Sequence, residues 1–257
     1  MSQMRDRRAF LRGLAGTAAG LALAACDKLT ASEDVVKVLD AGEHTTEAVQ
    51  RMLAGSALAP EFPASAISAS FRANGTTDPD SDDYRRHVAE NFANWRLEIG
   101  GLVETPLSLS LDDLRAAPDR TQITRHDCVE GWSAIAKWRG ARLGALLERA
   151  KLKAGARYIA LFCADTLELT LDGTGDYYET IAIADAFHEQ TILAYEMNDQ
   201  VLPVAHGAPI RLRLERQLGY KMAKYVMRIE AIADFSTIAL GKGGYWEDRG
   251  YQWYAGI

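Results

Sequence analysis

Two of the three cysteines in this 257-residue chain, Cys128 and Cys163, have side chains that could bind a metal or form a disulfide. Arg125 and His126 precede Cys128, and nearby positive charge lowers the pKa of a thiol and favours the thiolate that binds metals. Thiolate is a soft ligand, which suits a soft or borderline metal. A zinc site is disfavoured because no second cysteine or histidine lies at finger-like spacing from Cys128. In an oxidising compartment a Cys128–Cys163 disulfide is the alternative, and the residues alone leave both open.

A second group of candidate residues is basic and lies in the last third of the chain, around Arg211 and Lys224. The planar guanidinium of arginine can donate two parallel hydrogen bonds to a phosphate, and the ammonium of lysine acts on a phosphate as a point charge. The alternative is a solvated basic strand face, because Arg211, Arg213 and Arg216 are separated by other residues in an alternating run. These residue types therefore indicate either an anion site or an exposed strand.

Three blocks of sequence, in the same order and spacing, resemble the sulfite oxidase family of molybdopterin-dependent oxidoreductases. Within that family the similarity is greatest to the bacterial branch that contains protein-methionine-sulfoxide reductases. The resemblance extends from about residue 70 to about residue 235. Its blocks are residues 71–79, residues 125–133 with Trp138-Arg-Gly140, and residues 206–211 continuing through 219–226.

The resemblance implies a molybdenum atom held by one pterin dithiolene, one cysteine sulfur and oxygen ligands. Carried over residue by residue, it makes Cys128 the metal ligand and the catalytic residue. Cys163 stands where the methionine-sulfoxide reductase branch has a threonine, and we predict a free thiol there because a disulfide to Cys128 would block metal binding. The predicted contacts to the molybdenum–molybdopterin cofactor are Asn74, Thr77, Asp78, Cys163, His206, Arg211, Met222, Ala223 and Lys224.

Three other features near these blocks, His126, Arg213 and the aromatic tail, could have a structural role. Histidine can act as an acid or base near neutral pH, but a hydrogen-bonding structural role is favoured for His126. A solvated position is favoured for Arg213. The aromatic tail, residues 244–254, is predicted with equal weight to roof a substrate pocket or to pack in the core.

The implied reaction is two-electron oxygen-atom transfer. Sulfite-oxidising members have an arginine directly before the asparagine, whereas this chain has Ala73 there and Arg72 one place earlier. We therefore predict reduction of an S-oxide or N-oxide that is a small molecule or is bound in a protein, with electrons from a membrane haem- or quinol-linked subunit. The alternatives are a sulfite dehydrogenase that passes electrons to a cytochrome, and a non-catalytic lipoprotein module that has lost the metal.

The N-terminus is typical of an export signal. Residues 7–11, Arg-Arg-Ala-Phe-Leu, resemble the twin-arginine motif, and an apolar stretch over residues 13–25 leads to Cys26. Residues 23–26 resemble a lipoprotein processing site, although a plain signal cleaved nearby is the alternative. We predict a periplasmic protein, lipid-anchored through Cys26 and without a further membrane contact. Removing residues 1–25 leaves 25 basic and 34 acidic residues, a net charge of −9, which argues against a nucleic-acid partner.

The elements that position these residues are predicted to be many short strands and a few short helices. Strands are predicted at residues 97–103, 121–124, 158–162, 192–197, 210–214 and 225–232, and a helix at 143–152. This pattern predicts an α+β fold with mostly antiparallel or mixed sheets, and the resemblance implies the molybdopterin-binding fold of the sulfite oxidase type. The predicted divisions are a signal over 1–25, a tether with a short helix at 45–53 over 26–68, and the catalytic domain over 69–257.

Overall fold

The computed structural model describes residues 32–257, which fall into two compact units, one that ends at Gly55 and one that spans Ser56–Ile257. The predicted export signal and the predicted lipidation site, Cys26, lie outside the described residues. Among residues 32–257, no helix combines the length and the apolar character needed to cross a membrane.

The first unit contains helix α1, Glu33–Ala54. The side chain of Ser32 caps it by accepting a hydrogen bond from the backbone N–H of Val35 at 3.3 Å. Gly55, with φ of 50°, ends it. The sequence predicted a tether up to residue 42 and a helix only from residue 45. That expectation was wrong, because the serine cap starts the helix at Glu33.

The second unit begins before the predicted catalytic domain. Glu61 forms an isolated bridge with Thr124, and the backbone N–H of Ser68 donates to the carbonyl of Ile135 at 3.0 Å. Residues 56–68, which were predicted to be part of the tether, therefore belong to the larger unit.

The first sheet has the strand order β2-β1-β10-β5-β6. Strands β1 and β10 are parallel, and the other neighbours are antiparallel. Its strands are β1 (Leu97–Gly101), β2 (Leu107–Leu109), β5 (Tyr158–Thr166), β6 (Asp176–Ala182) and β10 (Val226–Ile232).

The second sheet is antiparallel, with the order β3-β4-β7-β8 and β9 paired to β7. Gly140 in β4 lies so close to β7 that a Cβ there would be 2.2 Å from the carbonyl oxygen of Leu193. Its strands are β3 (Asp119–Asp127), β4 (Ser133–Arg142), β7 (Ile192–Met197), β8 (Gln200–Val201) and β9 (Arg211–Arg213).

The remaining helices are short. The α-helices are α2 (Asp82–Ala89), α3 (Leu111–Ala116), α4 (Leu143–Ala150) and α5 (Ile183–Ala186). The 3-10 helices are Ala64–Ala66, Val204–His206, Gly219–Lys221 and Glu247–Arg249.

One hydrophobic core joins both sheets of the second unit. It contains Ile99 and Leu161 from the first sheet, Leu193 and Leu212 from the second, and Leu146 from α4, all at most 1% exposed. Burial of this apolar surface is the main force that holds the sheets together. The predicted α+β fold with mixed sheets and short helices is confirmed.

Candidate functional site

A cavity of about 270 Å³ lies in the second unit, beyond the ends of β3 and β5. Part of its wall is apolar or aromatic and is formed by Phe71, Val129, Leu167, Trp246 and Tyr251. The residues predicted for the site that line it are Asn74, Cys128, Arg211, Met222 and Lys224. The fold therefore brings together residues that are up to 150 positions apart in the chain.

Cys128 lies in the tight turn that follows β3. Its backbone N–H donates to the carbonyl of Trp132 at 2.9 Å, and Gly131 completes the turn with φ of 83°. The residue is 6% exposed, and the Nδ2 amide of Asn74 donates to its Sγ at 3.1 Å. The turn and the amide together hold the sulfur at the cavity wall.

The expected lowering of the Cys128 pKa is wrong. Burial raises the pKa of this thiol, although the amide hydrogen bond from Asn74 and the charge of Arg72 act in the opposite direction. Arg125 does not supply the expected charge because it is an exposed side chain paired with Asp127 at 2.9 Å. The thiolate therefore depends on a bound metal rather than on Arg125.

His126 is a buried, neutral structural residue. It is 2% exposed, and its Nδ1 accepts a hydrogen bond from Nη1 of Arg213 at 3.1 Å. Arginine is always a donor, so the ring proton is assigned to Nε2. Burial and the nearby charges of Arg213 and Arg211 lower the pKa of His126 to about 2. A Cβ at Gly219 would lie 2.3 Å from Nε2, which explains the glycine at the loop that crosses this ring.

Arg213 is not on a solvated face, so the favoured interpretation of this residue was wrong. It is fully buried and bonds Glu215 through two nitrogens at 2.9 and 2.7 Å. Its guanidinium also lies 4.4 Å from the ring centre of Trp138. All three residues of β9 are buried, so the alternation of basic and apolar residues does not correspond to one solvent-exposed and one buried face.

Arg211 is a buried cation without a carboxylate partner among its hydrogen bonds. It is 4% exposed, and its Nη1 donates to the carbonyl of His206 at 3.1 Å. Its Nε is buried without a hydrogen-bond partner in the described part of the chain. Burial, followed by the charge of Arg213, lowers the pKa of Arg211 to about 9. A buried guanidinium with an N–H group that still lacks a hydrogen-bond partner among residues 32–257 favours the binding of an anion.

Lys224 is the second cation at the cavity. Its Nζ donates to the carbonyl of Thr76 and to that of Ala205 at 3.3 Å. Burial, followed by the charge of Arg211, lowers the pKa of Lys224 to about 7. Lys224 therefore connects the loop that carries Asn74 to the His206 segment.

The other predicted contacts lie beside the cavity rather than in its wall. Thr77 and Asp78 are exposed in the loop that follows Asn74, and Ala223 is 1% exposed between Met222 and Lys224. His206 is half-buried, and its Nδ1 has no hydrogen-bond partner within residues 32–257. These positions stay predictions for a bound cofactor.

Cys163 lies in β5 opposite Val226, and both Cys128 and Cys163 are free thiols. Burial, followed by the charges of Asp165 and Glu179, raises the pKa of Cys163 well above its ordinary value. This thiol is therefore protonated and non-nucleophilic, in contrast to a reactive cysteine.

Sequence reasoning missed two acidic residues in the cavity wall, Glu130 and Asp165. Asp165 is 4% exposed, its Oδ1 lacks a hydrogen-bond partner among the described residues, and burial raises its pKa to about 6. Glu130 could have been noticed from its place two residues after Cys128. Asp165 offers no comparable signal, because only the strand pairing places it at the cavity.

The aromatic tail divides between its two predicted roles. Trp246 and Tyr251 line the cavity and stack on each other with their ring centres 5.3 Å apart. Tyr245 is 3% exposed and belongs to the main core. The tail both roofs the cavity and packs in the core.

The residues around the cavity fit a molybdenum–pterin cofactor. Within residues 32–257, no group of three or more His, Cys, Asp or Glu side chains that could hold a metal ion is present. Cys128 supplies one sulfur at the wall, and the cofactor class implied by the sequence carries its own dithiolene. Arg211 and Lys224 supply the charge for a phosphate, and the unsatisfied Nε of Arg211 is a donor available to it.

Comparison with known proteins gives matches over most of the chain. Residues 85–238 match the family described as the oxidoreductase molybdopterin-binding domain. A relative from Azospira oryzae, named as the protein-methionine-sulfoxide reductase subunit YedZ1, is 38% identical over 99% of this chain and 89% of its own length. The protein-methionine-sulfoxide reductase catalytic subunit MsrP of Campylobacter jejuni is 35% identical over 58% of this chain. This chain spans 54% of that relative.

A solved structure, the sulfane dehydrogenase SoxCD from Paracoccus pantotrophus, is 23% identical with a TM-score of 0.48. The match covers 55% of this chain and 39% of that one.

Proposed function

The chain belongs to the oxidoreductase molybdopterin-binding family and is a molybdenum–molybdopterin oxidoreductase, and we propose that it reduces a neutral S-oxide or N-oxide. For a sulfoxide the overall reaction is R2SO + 2H⁺ + 2e⁻ → R2S + H2O. The sulfur–oxygen bond breaks, the oxide is reduced, and the oxygen leaves as water. When bound, the cofactor would supply the two electrons of this reaction.

The observation that carries this proposal is the apolar and aromatic wall beside Cys128. Phe71, Val129 and Trp246 offer contacts to the alkyl groups of a neutral oxide, and Ala73 stands where sulfite-oxidising members have arginine. Apolar surface favours a neutral substrate over a hydrated anion. The names of the two reductase relatives support a sulfoxide.

The residues of the chain have distinct parts in this proposal. Cys128 binds the metal, Asn74 orients the sulfur, and Arg211 with Lys224 binds the cofactor phosphate. Trp246 and Tyr251 cover the cavity and limit the entry of water. Asp165 has a pKa of about 6, so its carboxyl group holds a proton in part of the population near neutral pH.

We propose that the enzyme is exported to the periplasm by the twin-arginine route and is anchored through Cys26. Electrons would reach it from a membrane subunit that bears haem or quinol. The twin-arginine-like motif of residues 7–11 and the word "subunit" in the relatives' names support this arrangement.

A second candidate function is sulfite dehydrogenation with a cytochrome as acceptor. The observation that favours it is Arg72, which lies in the cavity wall one residue before Ala73. An arginine there can attract an oxyanion.

The deciding experiment compares the two reactions in the holoenzyme. With a reduced dye as electron donor, turnover of methionine sulfoxide or trimethylamine N-oxide should be at least roughly tenfold faster than sulfite oxidation with an oxidised dye, which corresponds to about 1.4 kcal/mol in transition-state free energy. Near-stoichiometric molybdenum is expected in the wild type and loss of both metal and turnover in Cys128→Ala. Sulfite turnover far above sulfoxide turnover contradicts the proposal, and molybdenum retained by Cys128→Ala contradicts the ligand assignment.

A further inference from the structure

We propose that Glu130 determines substrate charge specificity by neutralising Arg72 at the cavity, so that neutral oxides enter and oxyanions do not. This inference rests on the proposed function and names the residues that would enforce it. Glu130 and Arg72 both line the cavity that contains the Cys128 sulfur.

The Cys128 turn itself holds the Glu130 carboxylate in place. Glu130 lies two residues after Cys128, and its Oε2 accepts a hydrogen bond from Nε1 of Trp132 at 3.1 Å. The same Oε2 is 3.6 Å from Nη1 of Arg72. The guanidinium carbon of Arg72 is 6.0 Å from the centre of the Trp132 ring. The indole thus orients the carboxylate toward the arginine.

Both side chains are accessible to an entering substrate, since Arg72 is 67% exposed and Glu130 is 51% exposed. An exposed ion pair of this kind contributes little to folding stability. The pair is therefore expected to affect mainly the electrostatic potential at the cavity where a substrate enters. Variants of the pair should fold.

The other charged residues in the cavity wall have different partners. Among the described residues that line it, these are Arg211, Lys224 and Asp165. Arg211 and Lys224 are the proposed partners of the cofactor phosphate. Asp165 lies near Lys224, whose charge lowers the pKa of Asp165 against the larger, raising effect of burial. The Arg72–Glu130 pair is consequently the charge pair left to act on the substrate.

With both charges present, attraction of an oxyanion to Arg72 is opposed by repulsion from Glu130. Substitution of Glu130 by glutamine retains an oxygen that can accept from Trp132 and leaves Arg72 unpaired. One unit charge at close range in a water-like medium changes binding by roughly fivefold. The opposite change is expected when Arg72 is neutralised and Glu130 is kept.

The test measures binding of sulfate, an unreactive oxyanion, to the holoenzyme by calorimetry and by inhibition of sulfoxide turnover. Glu130→Gln should tighten sulfate binding roughly fivefold or more and raise the ratio of sulfite to sulfoxide kcat/KM. Arg72→Gln should weaken sulfate binding, and the double variant should return toward the wild type. Asp112→Asn, which removes an exposed acid that pairs with Arg115, is the control with the same change in net charge and should leave sulfate binding unchanged.

The outcomes separate this inference from the proposed function. If the wild type prefers sulfoxide but Glu130→Gln behaves as Asp112→Asn does, the inference is overturned and the proposed function stands. If the wild type prefers sulfite, the proposed function fails whatever the variant does. Should Glu130→Gln not fold, unchanged sulfate binding by Arg72→Gln would overturn the inference instead.

Discussion

Arg211 is a buried cation and Lys224 a half-buried one, and both donate to backbone carbonyl oxygens, with a further hydrogen bond from Lys224 to the hydroxyl of Tyr225. Burial disfavours the charged form of each group and lowers its pKa, although the charges of Glu215 near Arg211 and of Asp165 near Lys224 act in the opposite direction. A phosphate placed between them would relieve this cost. The two side chains therefore offer positive charge to an added anion such as the cofactor phosphate.

Lys224→Met should lower molybdopterin and molybdenum content roughly tenfold, because a charge-assisted hydrogen bond to the phosphate is lost. In cofactor-free protein the same change should not destabilise the fold at neutral pH. The folded-state pKa of Lys224 is lowered to about 7, so the unfolded chain binds more protons between that pH and the ordinary lysine pKa. The wild-type stability should therefore rise with pH across this window, and the variant should lose the rise.

Metal and pterin analysis, with urea unfolding of cofactor-free protein at pH 7 and pH 9, checks this prediction. Lys137→Met is the matched control because Lys137 pairs with Asp199 away from the cavity wall. Full cofactor content in Lys224→Met would show that Lys224 does not bind the phosphate.

At the scale of elements, a buried charge cluster joins three segments around the cavity. The Nζ of Lys221 lies 2.6 Å from Oε1 of Glu179 and 2.6 Å from Oε1 of Glu247. These residues belong to the 3-10 helix Gly219–Lys221, to β6 and to the 3-10 helix Glu247–Arg249. Tyr220 and Trp246, next to Lys221 and Glu247, line the cavity. Tyr177 of β6 also lines the cavity, so the cluster fixes three of the segments that form its wall.

Lys221→Met should lower the free energy of unfolding by about 3–5 kcal/mol, because it leaves two buried carboxyl groups without their cation. Burial, with the charge of Glu247, already raises the pKa of Glu179 well above its ordinary value. Urea unfolding measures the loss, and Lys242→Met, at an exposed lysine, should change it by less than about 0.5 kcal/mol. Adding Glu179→Gln and Glu247→Gln to Lys221→Met should recover part of the stability, and a failure to recover any would exclude the unpaired charges as the cause.

At the scale of the whole molecule, the unit Ser56–Ile257 contains both sheets, their common core and every residue that lines the cavity. Helix α1 belongs to the other unit. The components of the site are thus confined to one compact unit.

A chain that begins at Ser56 should fold and load molybdenum in the cytoplasm, with a Tm within about 3 °C of the full-length protein, since about 1 kcal/mol moves Tm by that much in a unit of this size. A chain that begins at Ala69 should be clearly less stable, because it lacks the Glu61 contact with Arg120 at 2.6 Å and the Ser68 contact with Ile135. Thermal unfolding with metal analysis checks both. Equal stability of the two truncations would place the boundary at residue 69 instead.

The family, the cofactor class and much of the strand pattern could be predicted from the sequence alone. The ligand block around Cys128, the Arg211 block and their order are local in sequence, so they can be recognised without a fold. The strands predicted at residues 158–162 and 192–197 lie within β5 and β7, and the strand predicted at residues 225–232 begins one residue before β10. Alternating or continuous apolar runs predict such strands because their periodicity reflects burial on a sheet.

The distribution of charge and burial around the site could not be predicted without the folded structure. Strands β4 and β6 and the buried state of Arg213 were missed, because the neighbours that cover these residues are distant in the chain. The predicted lowering of the Cys128 pKa failed because burial raises it, and Arg125 is an exposed side chain paired with Asp127. The turn after β3 places Glu130 in the cavity wall, and the pairing of β5 with its neighbours places Asp165 there. A residue's charge state depends on its desolvation and its neighbours in space, and those are properties of the folded chain.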